Sequence, residues 1–177
     1  VQVHLTLNTL TSGRELDTAA KLLRTAVGAG IDAVIIQDLG VAQLCRQICP
    51  DLPIHASTQM SIHSLDGVLE AADLGVRRVV LARELSRDNI AAIAARSPVE
   101  LEVFVHGALC MCYSGQCYMS AMIGRRSGNR GACAQPCRLP YGYNGHADRY
   151  PLSLRDNCLV EHLTELREMG IASLKIE

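Results

Sequence analysis

Residues Glu100–Cys117 read ELEVFVHGALCMCYSGQC. The opening part alternates, with Leu101, Val103 and Val105 on one side of an extended chain and Glu102, Phe104 and His106 on the other. A period of two marks a strand. Its second face carries a carboxylate and an imidazole, which must have polar company. The same division recurs at His4/Thr6/Asn8, His55/Ser57/Gln59 and Ser173/Lys175/Glu177. Strands of an open, doubly wound sheet are covered by helices on both faces and read as continuous apolar runs. Strands that each keep one polar face imply a shared polar lumen, with the apolar side chains turned outward onto helices. That is the arrangement of a (β/α)8 TIM-type barrel.

Working outward, strands are predicted at Val1–Asn8, Ala33–Asp38, Ile54–Gln59, Arg78–Ala82, Leu101–His106 and Ser173–Glu177. Helices are predicted from about Ser12 to Ala29, from Gly40 to Ile48, from a Ser61 cap to about Leu74, from Ser86 to Arg96, and from Ser153 or Asp156 to Met169. Strand and helix in alternation at this spacing mean βαβ units with right-handed crossovers. Six strands fall short of the barrel's eight, and Val1 and Glu177 already lie inside strand patterns. The expectation is a single domain over 1–177 that is an incomplete barrel. Two units would lie upstream of Val1 and a helix beyond Glu177, with a Cys-rich insertion over 107–150.

The 177 residues amount to about one domain, and 49% hydrophobic content supports a substantial core. With one Phe and no Trp, that core is aliphatic. A net charge of -1 excludes a generally basic nucleic-acid binder, so any such contact is local. No run approaches the roughly 20 apolar residues of a membrane span, and no signal peptide opens the chain. Cytoplasm is the expected compartment, where clustered thiols bind metal or do redox work more often than they form disulfides.

Five of the eight cysteines, at 110, 112, 117, 133 and 137, follow the expected strand ending at His106 in the pattern C-x-C-x4-C-x15-C-x3-C. No Asp or Glu occurs between Val103 and Ala147, whereas Arg125, Arg126, Arg130 and Arg138 do, and Tyr113, Tyr118, Tyr141, Tyr143 and Tyr150 accompany them. In a barrel the active face is at the C-terminal strand ends. Those ends carry Asn8, Gln37, Asp38, Thr58, Gln59, Arg83, Glu84, His106, Lys175 and Glu177, and the cysteines leave directly from them.

Thiolates are soft ligands for zinc or an iron–sulfur cluster. Structural zinc is normally announced by paired C-x2-C spacings, which are absent, so the irregular spacing fits a cluster better and leaves zinc as the alternative. Cys45 and Cys49 read as core thiols, and Cys158, in an expected early helical turn, as either ligand or bystander. His106 reads as a ligand, an acid/base or a satisfied lumen residue, and His55 as satisfied by Ser57 and Gln59. Glu102 needs a partner such as Lys175 or His4. Lys175 and Glu177 pair or bind substrate, and Arg83 with Glu84 reads as a rim salt bridge or as part of the substrate site with Gln59. Arg125, Arg126 and Arg130 form a solvated basic loop or, with the tyrosines, hold phosphate and stack bases. No Ser-His-Asp order, HExxH or glycine-rich phosphate loop is present, which weakens an ordinary hydrolase reading.

With these residues in view, the chain resembles the collagenase-like peptidase family U thirty-two. Glu102, Phe104, Gly107, Ala108, Cys110, Cys117 and Ser120 match its signature, and GNRGACAQPCR (128–138) and SLKIE (173–177) are similar to it. So are NTL (8–10), QDLGV (37–41), STQMSIHS (57–64) and LAREL (81–85). The resemblance implies a [4Fe-4S] cluster on Cys110, Cys117, Cys133 and Cys137, with Cys112 a spare thiol and Cys158 an alternative fourth ligand. It implies an oxygen-independent hydroxylase acting on an rRNA or tRNA base, with a prephenate-like small molecule linked to the reaction. His106, Lys175 and Glu177 would then be catalytic, and Arg83, Arg125, Arg126, Arg130 and Gln59 substrate-binding. The alternative it implies is a collagenase-like peptidase with a structural metal, such as zinc, in the Cys loop.

Overall fold

The alternation in the sequence becomes six parallel strands: β1 (His4–Leu7), β2 (Ala33–Ile36), β3 (Ile54–Ala56), β4 (Arg78–Val80), β5 (Glu100–Gly107) and, last in the chain, Ser173–Ile176. The structure, a computed structural model, describes residues 1–143 and 145–177, apart from the side chains at 143 and 146–148. Helices α1 (Leu16–Gly28), α2 (Leu39–Ile48), α3 (Leu65–Asp73) and α4 (Arg87–Ala94) connect the first five strands. After β5 come α5 (Met119–Gly124), a hairpin of β6 (Tyr141–Tyr143) and β7 (His146–Arg149), a two-residue β8 (Asn157–Cys158), α6 (Leu163–Glu168) and finally β9 (Ser173–Ile176).

Sheet neighbours are also sequence neighbours, in the order β1-β2-β3-β4-β5 with β9 parallel on β5, and β8 pairs antiparallel with the top of β5. A sheet whose order never reverses puts every right-handed crossover on the same face. Accordingly Leu23 of α1, Val41 and Cys45 of α2, Val68 of α3, Ile93 of α4 and Leu166 of α6 share one core with Val34, Ile36, Ile54, Val79, Leu101, Val103 and Val105. Fully burying each of these aliphatic side chains is worth about 1.5–3 kcal/mol. The opposite face is left as the lumen of an incomplete TIM-type barrel. Among the described residues no helix is long and apolar enough to cross a membrane.

Several boundaries differ from the sequence reading, each for a local reason. The helix expected from Ser12 starts at Leu16, because Ser12 uses its N–H and hydroxyl on the Glu15 carboxylate at 2.9 and 2.6 Å and closes a turn. Ser61 does not cap α3. It ends a 3-10 turn over Thr58–Met60 in a left-handed conformation, and the cap is Ser64, whose hydroxyl accepts from the Gly67 N–H at 3.1 Å. Asp38 and Ser86 cap α2 and α4 in the same manner, each cap contributing about 1 kcal/mol. The helix expected from Ser153 or Asp156 begins only at Leu163, because 157–158 add to the sheet first. Cys158 therefore sits in an exposed strand opposite His106, not in a helical turn.

The lumen floor is built from His4, His55, Arg78, Glu102 and Lys175. Arg78 bonds the Glu100 carboxylate at 2.7 Å and lies 3.4 Å from that of Glu102, which Lys175 reaches at 3.5 Å. Lys175 is thus the partner Glu102 required. His55, only 4% exposed, packs edge-on against the His4 ring at 4.9 Å. Contrary to expectation, Ser57 and Gln59 do not satisfy it: its Nδ1 has no partner, while the Ser57 hydroxyl accepts from Asn8 and from the Gln59 N–H. Burial, then the Arg78 charge and the His4 ring, push the His55 imidazole down from 6.5 to about 4, against weaker pulls from Glu102 and Glu100. A neutral buried His stabilises fully above its unfolded value near 6.5, and that contribution is lost as pH falls through about 4. The expected result is an acid-side loss of roughly 3 kcal/mol across that window. Urea unfolding from pH 7 to pH 4 checks it, since the slope should flatten in His55→Gln. An equal slope in both proteins refutes the assignment.

Candidate metal centre over the barrel mouth

Strand β5 delivers the chain to the mouth and ends at Gly107, whose φ of 131° turns the backbone where an added Cβ would meet the Glu177 carbonyl oxygen at 2.2 Å. Beyond it the segment is tied to itself and to residues that follow the strand ends. Arg138 donates to the Leu109 carbonyl at 3.1 Å, to Ser153 Oγ at 2.9 Å and to the Leu154 carbonyl. The turn at Ser114–Gly115 is held by the Glu84 carboxylate, which accepts from the Ser114 N–H and hydroxyl at 2.8 Å each and meets His63 Nε2 at 2.5 Å. Burial pushes the Glu84 carboxyl up, but the Ser114 N–H, its hydroxyl and the His63 ring together hold it below its ordinary value. On the far side Arg130 pairs with Glu15 at 2.8 Å and donates to the Leu10 carbonyl at 3.2 Å. The Arg130 guanidinium, with Ser12, lowers the Glu15 carboxyl to about 2.

Five of the cysteines, 110, 112, 117, 133 and 137, lie on this segment. All eight are free thiols. Although part of its side chain is exposed, burial pushes the Cys110 thiol up; Arg83 draws it down, and Cys137, Cys117 and Cys133 push it up again. Those three are the other members of the expected ligand set. Burial, and after it the neighbouring Cys117, pushes the Cys112 thiol up. Cys45 is buried in the core, Cys49 packs at its edge, and neither joins the group. Among the described residues no three Cys, His, Asp or Glu side chains close to the separation that holds a metal ion. The donor set nevertheless suits a soft, thiolate-ligated group: four thiols, no disulfide, and a guanidinium donating to one sulfur.

Arg83 and Glu84 do not pair with each other, as a rim salt bridge required. Arg83 turns into the mouth, where it meets the Glu177 carboxylate, lies 4.1 Å over the Phe104 ring and donates to Cys110 Sγ at 3.7 Å, while Glu84 turns to the loop. Lys175 pairs with Glu102 and not with Glu177. A register shift between Phe104 and His106 leaves His106 opposite Ile176 and exposed, and it borders a crevice with Arg83, Phe104 and Glu177. Gln59 sits in the 3-10 turn after β3, its backbone carbonyl accepting from Gln37 Nε2 at 3.2 Å. Both carboxamide oxygens, of Gln37 and Gln59, are buried without partners; Gln37 was visible in the sequence only as a polar strand tip.

The basic residues divide. Arg130 is taken up by Glu15, and Arg126 donates to the Ala132 carbonyl at 3.1 Å, whereas Arg125 is exposed in a left-handed conformation at the end of α5. Tyr113, Tyr118 and Tyr150 are exposed, Tyr141 donates to the Pro136 carbonyl at 2.9 Å, and the Tyr143 side chain lies outside the described residues. A cavity of about 220 Å³ opens beside Arg83 and Phe104, walled by Leu85, Ile90, Val103, Leu166 and Met169.

Comparison with known proteins places the whole length of the chain in one family. The chain is 40% identical over 182 residues to a 23S rRNA 5-hydroxycytidine synthase of Escherichia coli, covering 99% of this chain and 27% of that protein. It is 34% identical over 188 residues to tRNA hydroxylation protein P1 of Bacillus subtilis, covering 99% of this chain and 44% of that one. The chain therefore spans less than half the length of these curated relatives. A solved structure described as that of the U32 peptidase Mk0906 superposes with a TM-score of 0.60 at 18% identity, covering 99% of this chain and 69% of that one, and so shares the fold. The family model for peptidase family U32 matches residues 1–177, and the chain belongs to that family.

Proposed function

We propose that the chain forms part of the barrel of an RNA hydroxylase that works without oxygen, in which Cys110, Cys117, Cys133 and Cys137 hold a [4Fe-4S] cluster over the mouth. The reading is carried by the free thiols on the segment fastened to the polar strand ends, one of which, Cys110 Sγ, accepts from the Arg83 guanidinium at 3.7 Å. Two relatives named for rRNA and tRNA hydroxylation support the substrate class. A cluster with four Cys ligands has no open coordination position, so the chemistry it supplies is electron transfer. The chain's own groups do the rest. Arg125, together with exposed Tyr113 and Tyr118, offers charge and ring faces to an RNA strand outside the mouth. The unpartnered oxygens of Gln37 and Gln59 accept from the N–H groups of a base that enters. His106, Lys175 and Glu177 orient the small reactant and hold its protons, and the cavity beside Arg83 has room for a prephenate-like molecule.

The peptidase alternative has less support. Among the described residues no hydroxyl or thiol is hydrogen-bonded to a His ring, and Ser114, which shares Glu84 with His63, is 5% exposed and donates to the carboxylate. That geometry leaves no activated nucleophile. The experiment is anaerobic purification of the full-length protein with iron and sulfide analysis. About four of each per chain are expected, falling by at least tenfold in Cys110→Ser or Cys133→Ser and unchanged in Cys49→Ser. A colourless protein holding zinc, or iron retained in those two variants, overturns the reading.

A further inference from the structure

Among the described residues Arg83 is the one cationic side chain hydrogen-bonded to a cysteine sulfur, and its setting is unusually determined. Its backbone N–H donates to Ser114 Oγ at 3.2 Å, tying the chain just beyond β4 to the cysteine loop. The guanidinium carbon lies 4.1 Å from the Phe104 ring centroid, Nη1 donates to Cys110 Sγ at 3.7 Å, and Nη2 meets the Glu177 carboxylate. Its Nε is buried without a partner, and the side chain as a whole is 15% exposed. A cation so far removed from water acts on its neighbours with little screening. The other lumen cations do not duplicate it: Arg78 is taken up by Glu100 and Glu102, and Lys175 is drawn to Glu102 at 3.5 Å and is 5.6 Å from the Phe104 centroid.

We propose that Arg83 is a positioning residue of the sulfur centre. Its N–H on the Cys110 sulfur and its desolvated charge hold the reduction potential of the cluster more positive than the cysteines alone would. This rests on the cluster reading above. Reduction brings one electron from a one-electron donor, adding one negative charge; no bond to the chain breaks and no proton is required. A hydrogen bond to a ligating sulfur and a nearby positive charge both favour the more negative state, and so raise the potential. Phe104 keeps the guanidinium on the sulfur side of the mouth, a stacked arrangement that a lysine would not reproduce. Glu177 sets how much of the charge the centre feels, because it neutralises the same guanidinium.

The geometry therefore predicts shifts of opposite sign from the two partners. In full-length protein purified anaerobically, Arg83→Gln should move the midpoint potential in a redox titration followed by electron paramagnetic resonance to a more negative value. Glu177→Gln should move it to a more positive one, with iron and sulfide per chain unchanged in both. If iron stays and the Arg83→Gln potential does not move, the role assigned to Arg83 is wrong while the cluster reading stands. Should Arg83→Gln lose its iron, Glu177→Gln decides: a positive shift supports the proposal and an unmoved potential overturns it. A parent protein isolated without iron overturns the cluster reading and this inference together.

Discussion

Gly115→Ala is expected to unseat the cysteine loop. Gly115 has a φ of +78°, and a Cβ built there would fall 2.3 Å from the Gln59 carbonyl oxygen, 2.8 Å from its carbon and 2.9 Å from its Cα. All three atoms are backbone, in a turn held from below by Gln37, so no flexible side chain can yield. The left-handed conformation costs a non-glycine residue about 1–2 kcal/mol, and forced overpacking adds about 1–3 kcal/mol. Together they should cost about 3 kcal/mol in urea unfolding and expose the loop to limited proteolysis. Gly131 is the control. It also has a positive φ, of +70°, but nothing lies within 4 Å of its added Cβ. Gly131→Ala should therefore show only the conformational part, about 1 kcal/mol. Equal effects at both positions would mean that the loop does not rest on Gln59.

Glu84→Ala should free the same turn by a different route. Its carboxylate receives the Ser114 N–H, the Ser114 hydroxyl and the His63 ring, and Ser114 is 5% exposed. Removing it leaves buried donors with no acceptor, at about 1–3 kcal/mol each. A net loss of about 3 kcal/mol is expected, with far-UV circular dichroism of the barrel unchanged and cleavage within 107–125 accelerated. The wild-type protein should reproduce part of this in acid. The Glu84 carboxyl is held below its ordinary value, so its contribution is complete above the unfolded carboxylate range and fades as pH falls through the folded value. Cleavage rates in Glu84→Ala that match the wild type at pH 7 would show that the loop is anchored elsewhere.

Both substitutions bear on what was and was not legible in the sequence. The polar face of each strand was readable, because side chains in a strand alternate with a period of two. From that pattern came the lumen, the outward core and the arrival of the cysteines at the strand ends. The Glu102–Lys175 pair was readable for the same reason, since two opposite charges on neighbouring lumen faces have few other partners.

The partners of Arg83, Glu84 and Arg130 were not readable. Adjacent residues beyond a strand end, such as Arg83 and Glu84, point to opposite sides. Which loop each meets depends on crossovers from elsewhere in the chain: Ser114 lies 30 residues from Glu84, and Glu15 lies 115 from Arg130. A basic, tyrosine-rich stretch likewise announces charge without saying which guanidiniums remain available to a ligand. Arg130 was spent on Glu15, and that was decided by where α1 begins.

Local periodicity thus determined the barrel class, and the position of the cysteines in the chain placed them just beyond a strand end, because these depend on neighbours a few residues apart. Which charges are paired, which acceptors are left open and which sulfur faces a cation were decided only by tertiary structure. Those outcomes turn on a few ångströms between segments whose separation in the chain carries no information about their distance in space.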